Sequence, residues 1–472
     1  MEKFFKLSEN KTNVRTEVVA GITTFLTMSY IIFVQPAVLS KAMPGGGDPA
    51  GEFFGAVFMA TCLSAAIATF VMAILANYPI GLAPGMGQNF YFAFTVCLAA
   101  EFGGLGYTWQ TALGAVFIAA AVLTILTLFK FREQVIDAIP TSLKLAIPGG
   151  IGMLIAYVGL QWGGLIDRGS GTLLQLGDPT TPWAFLTILS LILTGVLLAR
   201  KVRGAILIGI IVTAVIGLFV RGGMNPEAGG PDTLVQFHGI VAAPPSIAPT
   251  FFKVNLVEIF MNPRLWEVVF IFFFLDLFDS VGTLIGVGHS AGLLTKEGKL
   301  PRVGPALFAD AIGSVFGALL GTSTVTSYIE SSTGVAEGGR TGLTGIVVGF
   351  LFLLAIFFSP LASMVGGGYM IGLDSFGDPI LRYPIIGAPL IIVGSLMMKG
   401  LRDVDWDDWA AAIASFLTVI MMPLTLSITV GISYGFIAYT LIKLLSGKGR
   451  EVHWLLYVLT LAFILRYALV RL

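Results

Sequence analysis

Charge is what this chain has least of. Only 11% of its 472 residues are Asp, Glu, Lys or Arg, where soluble domains carry about 25%. Hydrophobic residues make up 56%, and the mean hydropathy is +0.90. So little polar surface cannot cover the apolar residues of two or three soluble domains. Intrinsic disorder is excluded on the same ground, because it needs low hydrophobicity and high charge. The 27 basic and 27 acidic residues cancel, which leaves no electrostatic footprint for nucleic acid. Cysteine is nearly absent too. Cys62 and Cys97 both lie in apolar runs, so a disulfide framework and a CxxC metal site are ruled out. The three histidines, His238, His289 and His453, read as surface residues outside the apolar spans. HExxH, Walker A and GxSxG motifs are missing. Soluble-type catalysis and ATP-driven transport by this chain alone are therefore not expected, and neither is a cofactor or a metal. What remains is a polytopic helical membrane protein whose partner is the lipid bilayer. Its 58 glycines and 22 prolines are the surplus to explain.

A spanning helix needs about 20 apolar residues. Fourteen candidate spans are legible, at 17–40, 53–76, 84–100, 108–129, 143–161, 183–199, 204–220, 265–287, 303–320, 324–334, 342–358, 384–398, 409–425 and 427–443. The N-terminus carries Lys3, Lys6, Lys11 and Arg15 without a secretory apolar region before the first span, which places it in the cytoplasm. With that orientation, eighteen Lys or Arg fall on cytoplasmic segments, among them Lys130, Arg132, Arg200, Lys201, Arg203, Lys296, Lys299, Arg302, Arg340, Lys399, Arg402, Lys443, Lys448 and Arg450. Six fall outside: Lys41, Arg168, Arg221, Lys253, Arg264 and Arg382. This asymmetry obeys the positive-inside rule. A fifteenth apolar stretch, Trp454–Leu472, contains Arg466 and Arg471 and reads as an interfacial C-terminal helix.

An internal repeat is visible. Glu17-Val-Val19 recurs as Glu267-Val-Val269, and Ala56-Val-Phe58 as Ala306-Leu-Phe308, both 250 residues on. Thr111-Ala-Leu113 matches Thr341-Gly-Leu343 at a shift of 230. Seven spans per copy is an odd number, so the second copy enters the membrane from the opposite side. In inverted-repeat transporters the binding site lies at discontinuous helices near the midplane. Two segments qualify. Span 3 opens with Pro79-Ile-Gly-Leu-Ala-Pro-Gly-Met-Gly-Gln-Asn-Phe90, too rich in proline and glycine to start a helix cleanly. Span 10, Gly321–Gly334, is short and rich in Ser and Thr. Both are expected to begin as short extended segments passing into half-helices.

Ionisable residues inside spans are expensive, and each is a functional candidate. Asp276 and Asp279 stand three apart on span 8, Asp310 lies on span 9 and Glu330 on span 10. No Lys or Arg lies mid-span to balance them, since Lys144 sits near a helix end and can snorkel. Four such acids cannot all be ionised cheaply in a low dielectric. The proton is therefore the simplest coupling ion, with Na⁺ second. Asp279 and Glu330 read as the working pair. Asp276 and Asp310 read as supporting acids that cap broken helices or hold Ser/Thr hydroxyls. Gln88 and Asn89, at the start of span 3, can both donate and accept. Glu337-Gly-Gly-Arg340 reads either as a gate or helix-end lock or as a solvated turn. Asp403, Asp405, Asp407 and Asp408 read as structural, one of the last two favouring the N-terminus of span 13.

At these residues the sequence resembles the nucleobase–ascorbate transporter superfamily, in its AzgA-like purine permease branch. The N-terminal FFKLSENKTNVRTEVVAGITTFLTMSYIIFVQP, the GMGQNFYFAF of span 3, the LDLFDSVGTLIGV of span 8 and the SYIESSTGVAEGGRTGLT of span 10 carry the likeness. The resemblance implies an all-α membrane fold with fourteen segments in a seven-plus-seven inverted repeat. It implies short antiparallel strands in segments 3 and 10. It implies a core domain from spans 1–4 (1–135) and 8–11 (265–360), and a gate domain from spans 5–7 (136–222) and 12–14 (361–446). An external loop (223–264) and a C-terminal tail (447–472) complete the chain. The gate is also the expected surface of a homodimer, and the cell membrane the expected location.

Carried over by motif, Asp279 is the span-8 carboxylate that holds the base, Glu330 its span-10 partner and Asn89 the span-3 polar contact. Asp279 and Glu330 are also the proton-coupling pair. The family's uracil transporters place a histidine where this chain has Thr283, which argues against a pyrimidine. Gln88 stands where an apolar residue is common. Phe90, Tyr91, Tyr328 and Ile329 are at hand to border the base. A carboxylate accepts the adjacent N–H donors of guanine or the ring N–H of hypoxanthine, so these rank above adenine. The expected activity is purine import by proton symport, the core moving elevator-like against the gate. The alternative is a sulfate-like anion transporter or channel on the same fold, although the acidic site lacks the positive centre an anion needs.

Overall fold

The computed structural model describes residues 2–45, 48, 51–99, 104–128, 139–169, 174–222, 233–293, 300–373 and 379–469. Lys130, Arg132, Lys296, Lys299 and Arg471, used above to orient the chain, lie outside those residues, as do the side chains of Arg168 and His289. In chain order the principal elements begin with α1 (Val14–Met28), α2 (Ile31–Leu39), α3 (Glu52–Leu75), β1 (Leu82–Pro84), α4 (Met86–Phe90), α5 (Trp109–Leu128) and α6 (Thr141–Trp162). They continue with β2 (Ile166–Arg168), β3 (Leu174–Leu176), α7 (Pro182–Ala199), α8 (Ala205–Gly217), α9 (Leu265–Ser290), α10 (Val303–Leu320), β4 (Val325–Ser327), α11 (Ser331–Ala336) and α12 (Gly342–Ala355). The last are β5 (Tyr369–Leu373), β6 (Pro379–Arg382), α13 (Pro384–Met397), α14 (Trp409–Thr425), α15 (Ile428–Leu445) and α16 (Trp454–Leu469).

Among the described residues, 10 helical stretches are long and apolar enough to cross a membrane. They coincide with spans 1, 2, 4, 5, 6, 8, 9, 11, 12 and 14. Spans 7 and 13 are the shorter apolar helices α8 and α14. Spans 3 and 10 are the two broken ones, each an extended triplet followed by a short helix. After α4 the chain widens into a π-helical turn at Tyr91–Val96.

Span 1 departs from the sequence reading, which has one helix over 17–40. It divides at Ser29–Tyr30 into α1 and α2. The cause is local. Thr27 Oγ1 donates back to the Thr24 carbonyl at 2.8 Å and Ser29 Oγ to that of Leu26 at 3.2 Å. Such back-bonding competes with the helical ladder and bends it. Two hairpins also lie beyond the sequence reading: β2 pairs with β3, and β5 with β6 around a bulge between Met370 and Gly372. Both sit in connections, where hydropathy carries no strand signal.

The strands of spans 3 and 10 pair antiparallel, Leu82 opposite Ser327, Ala83 opposite Thr326 and Pro84 opposite Val325. Each strand is held by a hydroxyl from the helix before it. Thr69 Oγ1 of α3 accepts from the Leu82 N–H at 2.9 Å and donates to the Leu82 carbonyl at 3.1 Å. Ser314 Oγ of α10 accepts from the Val325 N–H at 2.9 Å and lies 3.0 Å from the Val325 carbonyl. The same device in both halves, centred on an antiparallel pair, is the signature of an inverted repeat. Glu17, buried in α1, accepts from the N–H groups of Arg340 at 2.9 Å and Thr344 at 3.1 Å. The carboxylate thus meets the positive end of α12.

By contacts the chain forms two units: Met1–Thr124 with Val158–Leu390, and Ile125–Tyr157 with Ile391–Leu472. In the first, α3 packs against α10 and α12, and α1 against α11 and α12. Small residues set the spacing. A Cβ on Gly342 would stand 2.1 Å from the Ala73 carbonyl oxygen, and one on Gly334 2.1 Å from Thr24 Oγ1. In the second unit α14 and α15 form a tight helical pair, joined through Leu426 in the left-handed region. The C-terminal helix α16 docks on α15 by Thr440–Thr460 at 2.9 Å and Ser433–Tyr467 at 2.7 Å. Asp408 is the acid that caps α14, accepting from the Ala410 N–H at 3.1 Å.

Two stability outcomes are expected. Gly342→Ala forces the α3–α12 crossing apart and costs roughly 2 kcal/mol, as core overpacking does. Gly195→Ala, whose Cβ meets nothing within 4 Å, is neutral or gains up to ~1 kcal/mol of helix propensity. Thermal unfolding of the purified protein reads both, and equal shifts would contradict the packing. The second concerns pH. A hydrogen bond from Lys443, 2.8 Å away, holds the Asp408 carboxyl below the usual carboxylate range. That stabilisation is present above the ordinary carboxylate pKa of about 3.9 and fades as pH falls through the lowered value. Asp408→Asn therefore lowers the pH 7 stability by about 1 kcal/mol, in the range of half-exposed ion pairs. The difference from wild type shrinks below about pH 4.

Candidate functional site

The strand pair creates the site. A strand three residues long leaves backbone groups that only the opposite strand and flanking hydroxyls can satisfy. The Gly85 N–H donates to the Thr324 carbonyl at 2.9 Å, and the Tyr328 N–H to that of Gly81 at 3.0 Å. Gly81 donates in turn to Ser331 Oγ at 3.0 Å. The ladder fixes where α4 and α11 begin, and so where Gln88, Asn89 and Glu330 stand.

The acids of α9 and α10 divide by partner. Asp310 accepts from the Ser327 N–H at 2.9 Å, the Ser327 hydroxyl at 3.2 Å and the Ser280 hydroxyl. Asp276 Oδ2 accepts from Ser314 Oγ at 3.1 Å, the hydroxyl that also holds Val325. Both acids are buried and serve β4. Asp279 is different. Its Oδ2 accepts from Thr326 Oγ1 at 3.1 Å and Gln88 Nε2 at 3.3 Å. Spacing alone put Asp276 and Asp279 on one face. In the structure Asp276 turns to α10 and Asp279 to the paired strands and α4.

Glu330 stands at the head of α11 and accepts from the Tyr30 hydroxyl at 2.9 Å. Tyr30 lies at the α1–α2 break, its ring 6.4 Å from that of Tyr328. Tyr328 itself donates to the Pro84 carbonyl at 2.6 Å. Among the described residues no ion pair involves Asp279 or Glu330. Both carboxyls are held by neutral amide and hydroxyl donors.

The other sequence candidates are placed as follows. Asn89 is fully buried. Its carboxamide donates to Gln35 and accepts from Ser323, while Gln35 donates to Thr322 at 2.7 Å. Gln88 is 2% exposed, and its Oε1 has no partner among the described residues. Phe90 is buried, its ring 5.6 Å from Phe94 and 6.4 Å from Trp162. Tyr91 packs edge-on to Phe272 at 5.0 Å and belongs to the α9 contact. Thr283, half-buried one turn beyond Asp279, joins none of these hydrogen bonds. Ile329 is 45% exposed and lies against Gly286.

Tyr30, Gln35, Ser323 and Thr326 escaped the sequence reading. Their signal was present, since Tyr30 heads and Gln35 interrupts the apolar run Ile31–Leu39, and Ser323 and Thr326 lie in the Ser/Thr-rich span. Also missed was an aromatic cluster beside Phe90. Trp162 and Tyr383 have ring centroids 4.6 Å apart, and the Lys41 ammonium lies 5.0 and 4.6 Å from them. Glu337 and Arg340 do not pair with each other. Glu337 meets Arg203 at 2.5 Å, and Arg340 donates to the carbonyls of Val335 at 2.6 Å and Gly339 at 2.7 Å. Arg340 therefore closes the C-terminal end of α11, the helix-end lock of the two readings.

Comparison with known proteins agrees with this architecture. The model of the Xan_ur_permease family, described as a permease family, matches residues 15–434. The adenine permease AdeP of Escherichia coli is 43% identical over 99% of this chain and 95% of its own. The guanine/hypoxanthine permease PbuG of Bacillus subtilis is 42% identical over 100% of both chains. Among solved structures, the transmembrane domain of the cyanobacterial bicarbonate transporter BicA superposes with a TM-score of 0.56 at 14% identity. It covers 90% of this chain and 97% of that one. At that identity the likeness establishes the inverted-repeat transporter fold and nothing about the cargo. A family match over most of the length, together with permeases above 40% identity, excludes an enzyme: the chain is a multi-pass membrane protein of the nucleobase–ascorbate transporter (Xan_ur_permease) family.

Proposed function

We propose that this protein is a secondary active importer of purine nucleobases, guanine and hypoxanthine ahead of adenine, driven by proton symport. The observation that carries the reading is the pair Asp279 and Glu330. Two carboxyls flank a broken-helix crossing, held among the described residues by neutral donors. A carboxylate with spare lone pairs accepts the ring N–H groups of a purine. The family and the named substrates of the relatives support the same substrate class. An anion cargo is not favoured, since the described site brings no Lys or Arg to these carboxyls.

In this mechanism a proton taken up from outside neutralises one carboxyl of the pair. The base then binds against the other, with Thr326 and Gln88 orienting Asp279 and Tyr30 orienting Glu330. Movement of the core domain against the gate domain exposes the site inward. Release of the proton restores a second negative charge and weakens the base. A cytoplasmic N-terminus, a cell-membrane location and a homodimer through the gate belong to the same reading. They rest on the charge asymmetry of the loops and on the family resemblance.

The test is uptake of labelled guanine and hypoxanthine by cells lacking their own purine permeases, and by vesicles with an imposed proton or sodium gradient. Asp279→Asn is expected to lower uptake by at least about 100-fold, since a buried charged acceptor is lost. Glu330→Gln is expected to abolish accumulation driven by the proton gradient. Retention of proton-driven purine uptake by both variants would sink the assignment, and stimulation by sodium alone would replace the proton.

A further inference from the structure

Gln88 is a buried carboxamide only half used. Its Nε2 donates to Asp279 Oδ2 at 3.3 Å. Its Oε1 is buried, has no partner among the described residues and lies over Gly85. A Cβ on Gly85 would stand 2.2 Å from that oxygen, so glycine at 85 is what lets the carboxamide fold back beside Thr326. Turning the amide over would bring Oε1 against the carboxylate of Asp279, two acceptors in contact. The drawn orientation is the one a carboxylate selects. A buried carbonyl without a donor is destabilising, so the oxygen calls for a ligand N–H.

The position of that oxygen defines which N–H. Asp279 Oδ2 is occupied by Thr326 and Gln88, which leaves Oδ1 for a ring N–H. The other open acceptor, on the side chain already bonded to Asp279, is Gln88 Oε1. A ligand that satisfies both carries a second donor on the carbon beside its ring N–H, which is an exocyclic amine. Guanine has that pair, while hypoxanthine and xanthine have no amine. Adenine places its amine beside a ring acceptor, and that edge matches Gln88, whose Oε1 accepts from the amine while the second N–H of Nε2, the first being given to Asp279, donates to the ring nitrogen.

Building on the purine reading above, we propose that Gln88 is the residue by which this transporter selects purines bearing an exocyclic amino group. Sites built to bond a ligand N–H reject the analogue without it, because their own polar atom is then left unpaired. Two ligand pairs isolate the effect. Guanine and hypoxanthine differ by the 2-amino group, and adenine and unsubstituted purine by the 6-amino group.

The experiment is competition by these four compounds against uptake of labelled hypoxanthine, in wild type and in Gln88→Met and Gln88→Leu variants. In wild type the amino compound of each pair should inhibit about tenfold more strongly, one buried hydrogen bond's worth. In the variants both ratios should fall to within about threefold of one. A wild-type ratio near one overturns the proposal even if neither variant folds. It is also overturned if the variants weaken all four compounds by one common factor, because Gln88 then only positions Asp279. If none of the four compounds competes and no purine is taken up, the purine reading itself fails. Normal purine uptake with unaltered ratios removes only the role of Gln88.

Discussion

The pairing of Leu82–Pro84 with Val325–Ser327 is the constraint on which the rest of the site depends. A chain with this hydropathy must satisfy every backbone N–H and carbonyl internally wherever water is excluded. Breaking two helices leaves such groups open. Each broken segment closes them on the other, and on a hydroxyl from its own preceding helix. The break thereby becomes a fixed point shared by both halves of the chain. Separating the two strands would strip Gly81, Gly85, Thr324 and Tyr328 of their backbone partners, so the crossing holds only as a unit.

Most of the polar chemistry nearby maintains that crossing. Asp310 and Ser327, Asp276 and Ser314, and Thr69 and Leu82 form a frame of buried hydrogen bonds. Gln35, Asn89, Ser323 and Thr322 form a second network beside it. Within it the carboxamide of Asn89 is already committed on both atoms, which makes this residue a brace in the present arrangement. Asp279 and Glu330 stand apart, because their partners are side-chain hydroxyls and an amide and not the backbone of a strand. A polar group that holds backbone is structural. A polar group held by interchangeable side chains is free to trade partners with a ligand.

Glycine serves two ends in this fold. At Gly342 and Gly334 it sets the closeness of helices whose association gains nothing from expelling water. At Gly85 it makes room for a folded-back carboxamide at the site. The likeness to a bicarbonate transporter at 14% identity is one of fold alone. The cargo is then a matter of the few side chains set around the crossing.

Much of this was determined by the sequence alone. Low charge and long apolar runs dictate the spans, since lipid tolerates nothing else. The clustering of proline, glycine, serine and threonine at 79–90 and 321–334 marks the two breaks, because those residues cannot sustain a lipid-facing helix. The lone acids of spans 8 to 10 announce a site because burying them is costly. Tertiary structure decided the remainder. Local spacing cannot show that Asp276 and Asp279, three residues apart, face different partners. Nor can it show that Tyr30 reaches Glu330 across 300 residues, or that Glu337 turns from Arg340 to Arg203. Those pairings depend on which helices are packed side by side. That is set by small residues and strand register far along the chain, so no local pattern records it.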